Sequence, residues 1–248
     1  MTEYTRLVVE EQPDRMVVRL NRPEARNAID FQFGLELHDV CARLEADPKP
    51  MLLTGRDGYF AAGADIAQLL GRGRREALAG INCSLFERVH RLPMPTVAAI
   101  DGFALGGGAE LAYACDLRVA STRAVFANPE PDLGIVAGAG ATWRLPELVG
   151  MPLAKLVLLA GHRIEAREAL ESRLVAAVVE PEVLERTAMA YIDRMTKMSP
   201  IALRLSKYVL DADTVHPVAD LLANALLFED DEKTARMEAF LARKAGKT

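Results

Sequence analysis

The sequence predicts an α/β core with a helical appendage at its C-terminal end, on three observations. Apolar runs of strand length recur through the first 190 residues, and strands often arrive in pairs before a helical pattern. A doubly wound sheet would instead alternate single strands with single helices. From about Tyr191 onward the apolar spacing is helical and no convincing strand remains. Residues 1–190 are therefore expected to form the core and carry the site, and residues 191–248 a helical region for packing or oligomerisation. No Pro/Ser-rich linker precedes that region, so free movement of the two parts is not expected.

Taken in order, "RLVVEE" and "RMVVRL" flank "QPD" and predict two strands about a turn. After "NRPEARNAID", Ile29, Phe33, Leu37, Val40 and Leu44 fall on one helical face, with Asn27 or Asp30 as the cap. "MLLTG" predicts a short buried strand, and "RREALAGINCSLFERVHRL" a second helix ended by "PMP". "TVAAIDG" is a strand, "ELAYA" a short helix, and "LRVAS" and "AVFAN" are strands about a turn at Thr122. A helix around "PLAKLVLLAG" and a strand "LVAAVV" follow. "SPIALRLSKYVL", "PVADLLANALLFE" and "DEKTARMEAFLARK" then predict three helices.

Composition narrows the function classes. With 50% hydrophobic and 26% charged residues, the 248-residue chain has the balance of a soluble protein with a sizeable core. A formal net charge of -5 argues against a nucleic-acid partner. Cys41, Cys83 and Cys115 are too widely spaced for a zinc or redox motif and suit a reducing compartment. His38, His90, His162 and His216 form no evident cluster, so no metal is expected. The N-terminus does not read as a signal peptide and no apolar run approaches a membrane span, which makes a cytoplasmic protein the expectation.

Three segments hold the chemistry: "FAAGADIAQL" (60–69), "DGFALGGGAEL" (101–111) and "FANPEPDLGIVAGAGATWRL" (126–145). Glu110 is the only charge between Phe103 and Ala114, and a desolvated carboxylate is expensive. Alone, it reads either as a complement to a helix dipole or as a base beside the glycine turn. Glu130 lies between Pro129 and Pro131, which restrict the local backbone and aim the side chain. Asp65 is placed to cap the helix "IAQLL". Small residues around Gly63 and Gly107 leave backbone N–H groups accessible, so Ala64 and Gly107 could aim two amides at one oxygen. Dinucleotide and phosphate-loop glycine spacings are absent, as are a Gly-x-Ser-x-Gly elbow and a His-Glu-x-x-His pair.

Over nearly its whole length the chain resembles the crotonase superfamily, the enoyl-CoA hydratase/isomerase proteins. The likeness is carried by "LNRPEARNAID", "FAAGADI", "DGFALGGGAELAYACDLRVAS" and "PEPDLGIVAGAGATWRL", in that order. It implies a spiral of strand-strand-helix units with a C-terminal helical trimerisation region, assembling as a trimer or a dimer of trimers. It implies acyl-CoA thioesters as substrates, CoA arriving as part of the substrate and no further cofactor.

By the same resemblance, the amides of Ala64 and Gly107 hold the thioester oxygen, and Glu110 and Glu130 occupy the hydratase acid positions. Glu110 is assigned to water and Glu130 to the Cα proton, with exchange of those roles left open. Ala25, Arg26, Ala62, Ala64, Asp65, Ile66, Gly107 and Lys244 are the implied CoA-binding positions. The implied activity is hydration of a trans-2-enoyl-CoA. The alternatives are double-bond isomerisation and a catalytically weak acyl-CoA-binding protein. Ala137, Ala141 and Trp143 depart from the family pattern near the acyl pocket, and Glu24 and Arg26 near the CoA phosphates.

Overall fold

The computed structural model describes residues 4–56, 58–211 and 217–245. Strands β1 (Leu7–Glu11) and β2 (Met16–Leu20) form the expected antiparallel hairpin. A 3-10 turn at Pro23–Ala25 leads into α1 (Phe31–Ala46). Asp30, not Asn27, caps that helix by accepting the Phe33 N–H at 2.7 Å. Asn27 sits at a φ of 56° and ties the loop together, accepting from Arg22 N and donating to Tyr59 O.

The chain then runs three times through a strand, a second strand and a helical segment. The first course is β3 (Met51–Thr54), β4 (Tyr59–Ala61), α2 (Ile66–Leu70), α3 (Arg74–Leu78) and α4 (Ile81–His90). The single helix expected here is broken at Gly80, whose φ of +60° separates α3 from α4. The second course is β5 (Thr96–Ile100), β6 (Phe103–Leu105) and α5 (Gly107–Ala114). The third is β7 (Leu117–Ser121), β8 (Val125–Ala127), a 3-10 turn at Glu130–Leu133, α6 (Ala141–Val149) and α7 (Met151–Ala160). After these come β9 (Ile164–Glu165), α8 (Ala166–Glu171), β10 (Ala177–Val179) and α9 (Leu184–Met195).

Each course adds one strand to each of two sheets. The larger sheet has the order β1-β2-β3-β5-β7-β10 and is parallel from β2 onward. The smaller has the order β4-β6-β8-β9, with the first three parallel and β9 antiparallel. This is the spiral that the resemblance implied.

Side chains alternate across the larger sheet, as the two-residue period of a strand requires. Val17, Leu52, Val97, Ala99 and Val119 face Leu184, Ala188 and Ile192 of α9. Met16, Val18, Met51, Leu53, Ala98 and Ile100 enter the main core with α1, α4 and the smaller sheet. Residues 190 and 191 are consecutive within α9, whose packing belongs to the sheet.

Three helices follow: α10 (Pro200–Asp211), α11 (Val218–Phe228) and α12 (Asp231–Ala245). Buried Lys207 anchors α10 by donating to Asp116, to Asp211 at 2.9 Å and to His90 O at 2.9 Å. Leu221, Leu222, Leu226 and Phe228 of α11 and Met237, Phe240 and Leu241 of α12 are exposed. Among the described residues no helix is long and apolar enough to cross a membrane.

Candidate active site

Strands β4, β6 and β8 are neighbours, with Ala61 opposite Ala104 and Leu105 opposite Ala127. Adjacent strands lie about 4.8 Å apart. What leaves their C-terminal ends therefore emerges along one edge: residues 62–65, residues 106–107 and residues 128–130. The three segments singled out in the sequence meet there. Ala64, Gly107, Glu110 and Glu130 all line one cleft of about 500 Å3.

The two amides are freed by ordinary backbone geometry. Ile29 N donates to Gly63 O at 2.8 Å and Asp65 N donates to Ile29 O at 2.9 Å. In this parallel bridge the intervening Ala64 N–H points the other way, off the bridge. Gly107 is the first residue of α5, so its N–H has no acceptor within the helix. A Cβ placed on Gly107 would stand 3.5 Å from Ala64 N, and one on Gly63 would stand 3.8 Å from Gly107 N. The turns thus face each other at contact distance, and the arrangement can offer two N–H donors to one oxygen. Gly106, at a φ of 50°, makes the bend from β6 into α5, and a side chain there would meet Glu130 Oε1 at 2.9 Å.

Glu110 is 3% exposed, and its Oε1 accepts from Ala139 N at 2.7 Å and Ala141 N at 3.1 Å. Burial pushes its carboxyl up to about 7, reinforced by Glu130 and opposed by the two amides and by Arg144. Burial also raises Glu130, opposed first by its own backbone N–H and then by Asn128. Glu130 Oε2 and Asn128 Nδ2 are both buried without a hydrogen-bond partner.

A third buried acid shows the contrast. Glu36 accepts from Thr5 N and Oγ1, Arg6 N, Leu7 N and Gln32 Nε2. Burial works to raise it, yet these donors outweigh burial and hold it below the usual carboxylate range. Glu36 is a structural clamp between α1 and β1. Burial instead raises both Glu110 and Glu130 above the usual carboxylate range, Glu110 to about 7, where a carboxyl can both take and give a proton.

Of the expected CoA-binding positions, Ala62, Ala64, Ile66 and Gly107 line the cleft. Asp65 caps α2 by accepting from Gln68 N, and its other oxygen pairs with Arg22 at 2.7 Å. Arg26 accepts the Ala62 N–H through its carbonyl and stacks its guanidinium 5.6 Å over the Tyr59 ring. Ala25 ends the 3-10 turn beside it. Arg26 thus braces the Ala62 backbone, and none of Ala25, Arg26 and Asp65 is among the cleft-lining residues. The side chain of Lys244 lies outside the described residues.

Sequence reasoning missed Asn128, the Ala139 and Ala141 amides, and Arg144. Asn128 accepts from Tyr113 Oη at 3.3 Å. Arg144 had a legible signal, as a lone cation in the apolar opening of α6. The Ala139 and Ala141 amides reach Glu110 from some thirty residues along the chain, a pairing that no local spacing announces.

The sequence model described as enoyl-CoA hydratase/isomerase matches residues 11–244. The chain belongs to the enoyl-CoA hydratase/isomerase family. It is 36% identical to a short-chain-enoyl-CoA hydratase of Clostridium acetobutylicum, over 98% of this chain and 97% of that protein. It is likewise 36% identical to a crotonyl-CoA hydratase of Syntrophomonas wolfei, over 97% and 96% of the two chains. Among solved structures, an enoyl-CoA hydratase from Bacillus anthracis superposes with a TM-score of 0.91 at 30% identity, covering 96% of this chain and 97% of that one. Within the enoyl-CoA hydratase/isomerase frame, the family departure at Ala141 is accommodated: the residue is fully buried and gives its N–H to Glu110.

Proposed function

We infer that this member of the family is an enoyl-CoA hydratase, adding water across the double bond of a trans-2-enoyl-CoA to give a 3-hydroxyacyl-CoA. One observation carries the reading: two buried carboxyls of raised pKa share a cleft with two converging backbone amides. The full-length hydratase relatives support it.

The Ala64 and Gly107 N–H groups hold the thioester oxygen, where negative charge grows as the water oxygen bonds to Cβ. Preset donors stabilise that charge without reorganising, and losing one such donor costs about 3 kcal/mol. Glu110, ionised, takes a proton from the water, and Glu130, protonated, delivers one to Cα. Atoms balance as H to Cα and OH to Cβ, with no change of oxidation state overall, so CoA within the substrate is the only carrier needed. The two acids act as a coupled pair, and their roles are exchangeable in the reverse direction.

Purified protein is expected to bleach the conjugated enoyl-thioester absorbance of crotonyl-CoA in water, and Glu130→Gln to slow this by about 10³-fold. Full activity in that variant overturns the assignment. Offering a 3-enoyl-CoA separates hydration from isomerisation, because only hydration places solvent oxygen in the product.

The pH profile is a second check. Glu110 must be ionised to act as base, so kcat/KM should fall as pH drops below about 7. An acid limb at ordinary carboxylate values would contradict a buried base.

The apolar residues exposed on α11 and α12 support burial against further copies of the chain, as a trimer or a dimer of trimers. Light scattering on the purified protein tests this. Free cysteines at 41, 83 and 115 support a reducing, cytoplasmic setting.

A further inference from the structure

Behind Glu110 lies a cation that no step of the hydration uses. Arg144, on α6, is 5% exposed, and its side chain makes one ion pair, Nη2 donating to Glu87 Oε2 at 2.6 Å. Its Nε and Nη1 are buried without a hydrogen-bond partner. Such a cation is expensive to bury, and the Trp143 ring 5.4 Å away offsets the cost only in part. A residue kept for packing alone would be apolar.

Its location gives the reason. Arg144 N donates to Gly140 O at 2.8 Å. Gly140 stands between Ala139 and Ala141, whose amides hold Glu110 Oε1. A Cβ on Gly140 would meet Arg144 Nη1 at 3.1 Å and Glu110 Cβ at 3.9 Å. Guanidinium and acid therefore approach the same glycine, which has no side chain to keep them apart.

We propose that Arg144 is a positioning residue for the hydration reaction, bracing the 139–141 backbone around Glu110 and supplying its counter-charge, with Glu87 setting how much of that charge Glu110 feels. The proposal rests on the hydratase reading of the site.

The charged surroundings of Glu110 are few. Glu130 faces it from the 3-10 turn, Tyr113 from its own helix, and Arg144 from α6. Arg118 of β7 acts on Tyr113. On α4, Glu87 is shared between Arg144 and Arg91, and these two cations hold it low against its own burial. His90, also on α4, is held low by burial and then by Arg144, with Asp116, Lys207 and Asp211 around it. β4 and β6 contribute apolar Phe60, Ala61 and Ala104.

The test is the acid limb of the kcat/KM profile for crotonyl-CoA in wild type, Arg144→Met, Arg144→Lys and Glu87→Gln, with melting curves to check folding. Arg144→Met removes the counter-charge, so the limb moves up by roughly one pH unit. Glu87→Gln leaves Arg144 uncompensated, so the limb moves down. Arg144→Lys keeps the charge and holds the limb near wild type, with kcat reduced and KM little changed. Opposite shifts are the signature that a merely structural role cannot produce.

Unmoved limbs, or shifts in the same direction, overturn the proposal. Should Arg144→Met fail to fold, the direction given by Glu87→Gln decides alone. A wild type without turnover would refute the hydratase reading instead. The Arg144 proposal is then decided by NMR titration of 13C-labelled glutamate carboxyls in wild type and Glu87→Gln, with Glu110→Gln assigning the signal.

Discussion

Replacing Glu110 by Gln is expected to lower kcat on crotonyl-CoA by about 10³- to 10⁴-fold while KM stays within a few-fold. Gln keeps the length of the side chain, and its carbonyl oxygen can still accept the Ala139 and Ala141 N–H groups that hold Oε1. The cleft should therefore survive, and the loss should report chemistry. What the amide cannot do is take a proton from water. A kcat near that of wild type would remove Glu110 from the mechanism.

The same variant should be the more stable protein at alkaline pH. The Glu110 carboxyl is pushed up to about 7 on folding, whereas an unfolded glutamate titrates near ~4.3. A group raised on folding contributes stability that is complete below the unfolded value and is lost as pH rises through the folded one. At pH 8 the wild type holds an ionised carboxylate out of water, and the Gln variant does not. Melting temperatures should favour the variant at pH 8 and converge toward pH 5. A variant less stable than wild type at pH 8 would mean that the ionised acid is better solvated than its burial implies.

Gly108→Ala is expected to be the most damaging one-carbon change in the site. The new Cβ would lie 2.3 Å from Ala61 O, 2.8 Å from Ala61 Cβ and 2.9 Å from Ala61 C. These are atoms at the end of β4, most of them backbone, so no flexible side chain can yield. Helix α5 must move off the strand, at a cost of about 3 kcal/mol, the upper end for an overpacked core. That movement also carries the Gly107 N–H away from Ala64. A lower melting temperature should therefore come with a loss of kcat in whatever protein folds. Gly71→Ala is the control, since a Cβ there meets only Gln68 O at an ordinary 3.7 Å. A stable, active Gly108→Ala enzyme would mean that α5 and β4 do not touch as described.

Other parts of the site follow from the same approach of three strand ends. Asp65 and Asp30 act as caps because each carboxylate lies three residues before an N–H it can reach, which is local geometry and legible in sequence. Strands β4 and β6 were not legible, although they underlie two of the three site segments. Each is three residues long, and the partners that make them strands are β6 and β8, far along the chain. The paired-strand rhythm was visible in "LRVAS" and "AVFAN" because both members there are flanked by clear turn residues. Helix α9 was overlooked although Leu184, Ala188 and Ile192 recur at helical spacing, and that face packs on the outer side of the six-stranded sheet.

The order of the glycine turns, the isolated charge at 110, the proline-flanked acid at 130 and the helical run after Tyr191 were written in the sequence, because each depends on neighbours within a few residues. Which acids would be chemical and which structural was not. Glu36 and Glu110 are both buried carboxylates on amphipathic or apolar helices, and what separates them is the depth of desolvation, the charge of Glu130 beside Glu110, and the larger number of donors around Glu36. Those surroundings come mostly from distant segments, whose positions exist only once the spiral has closed.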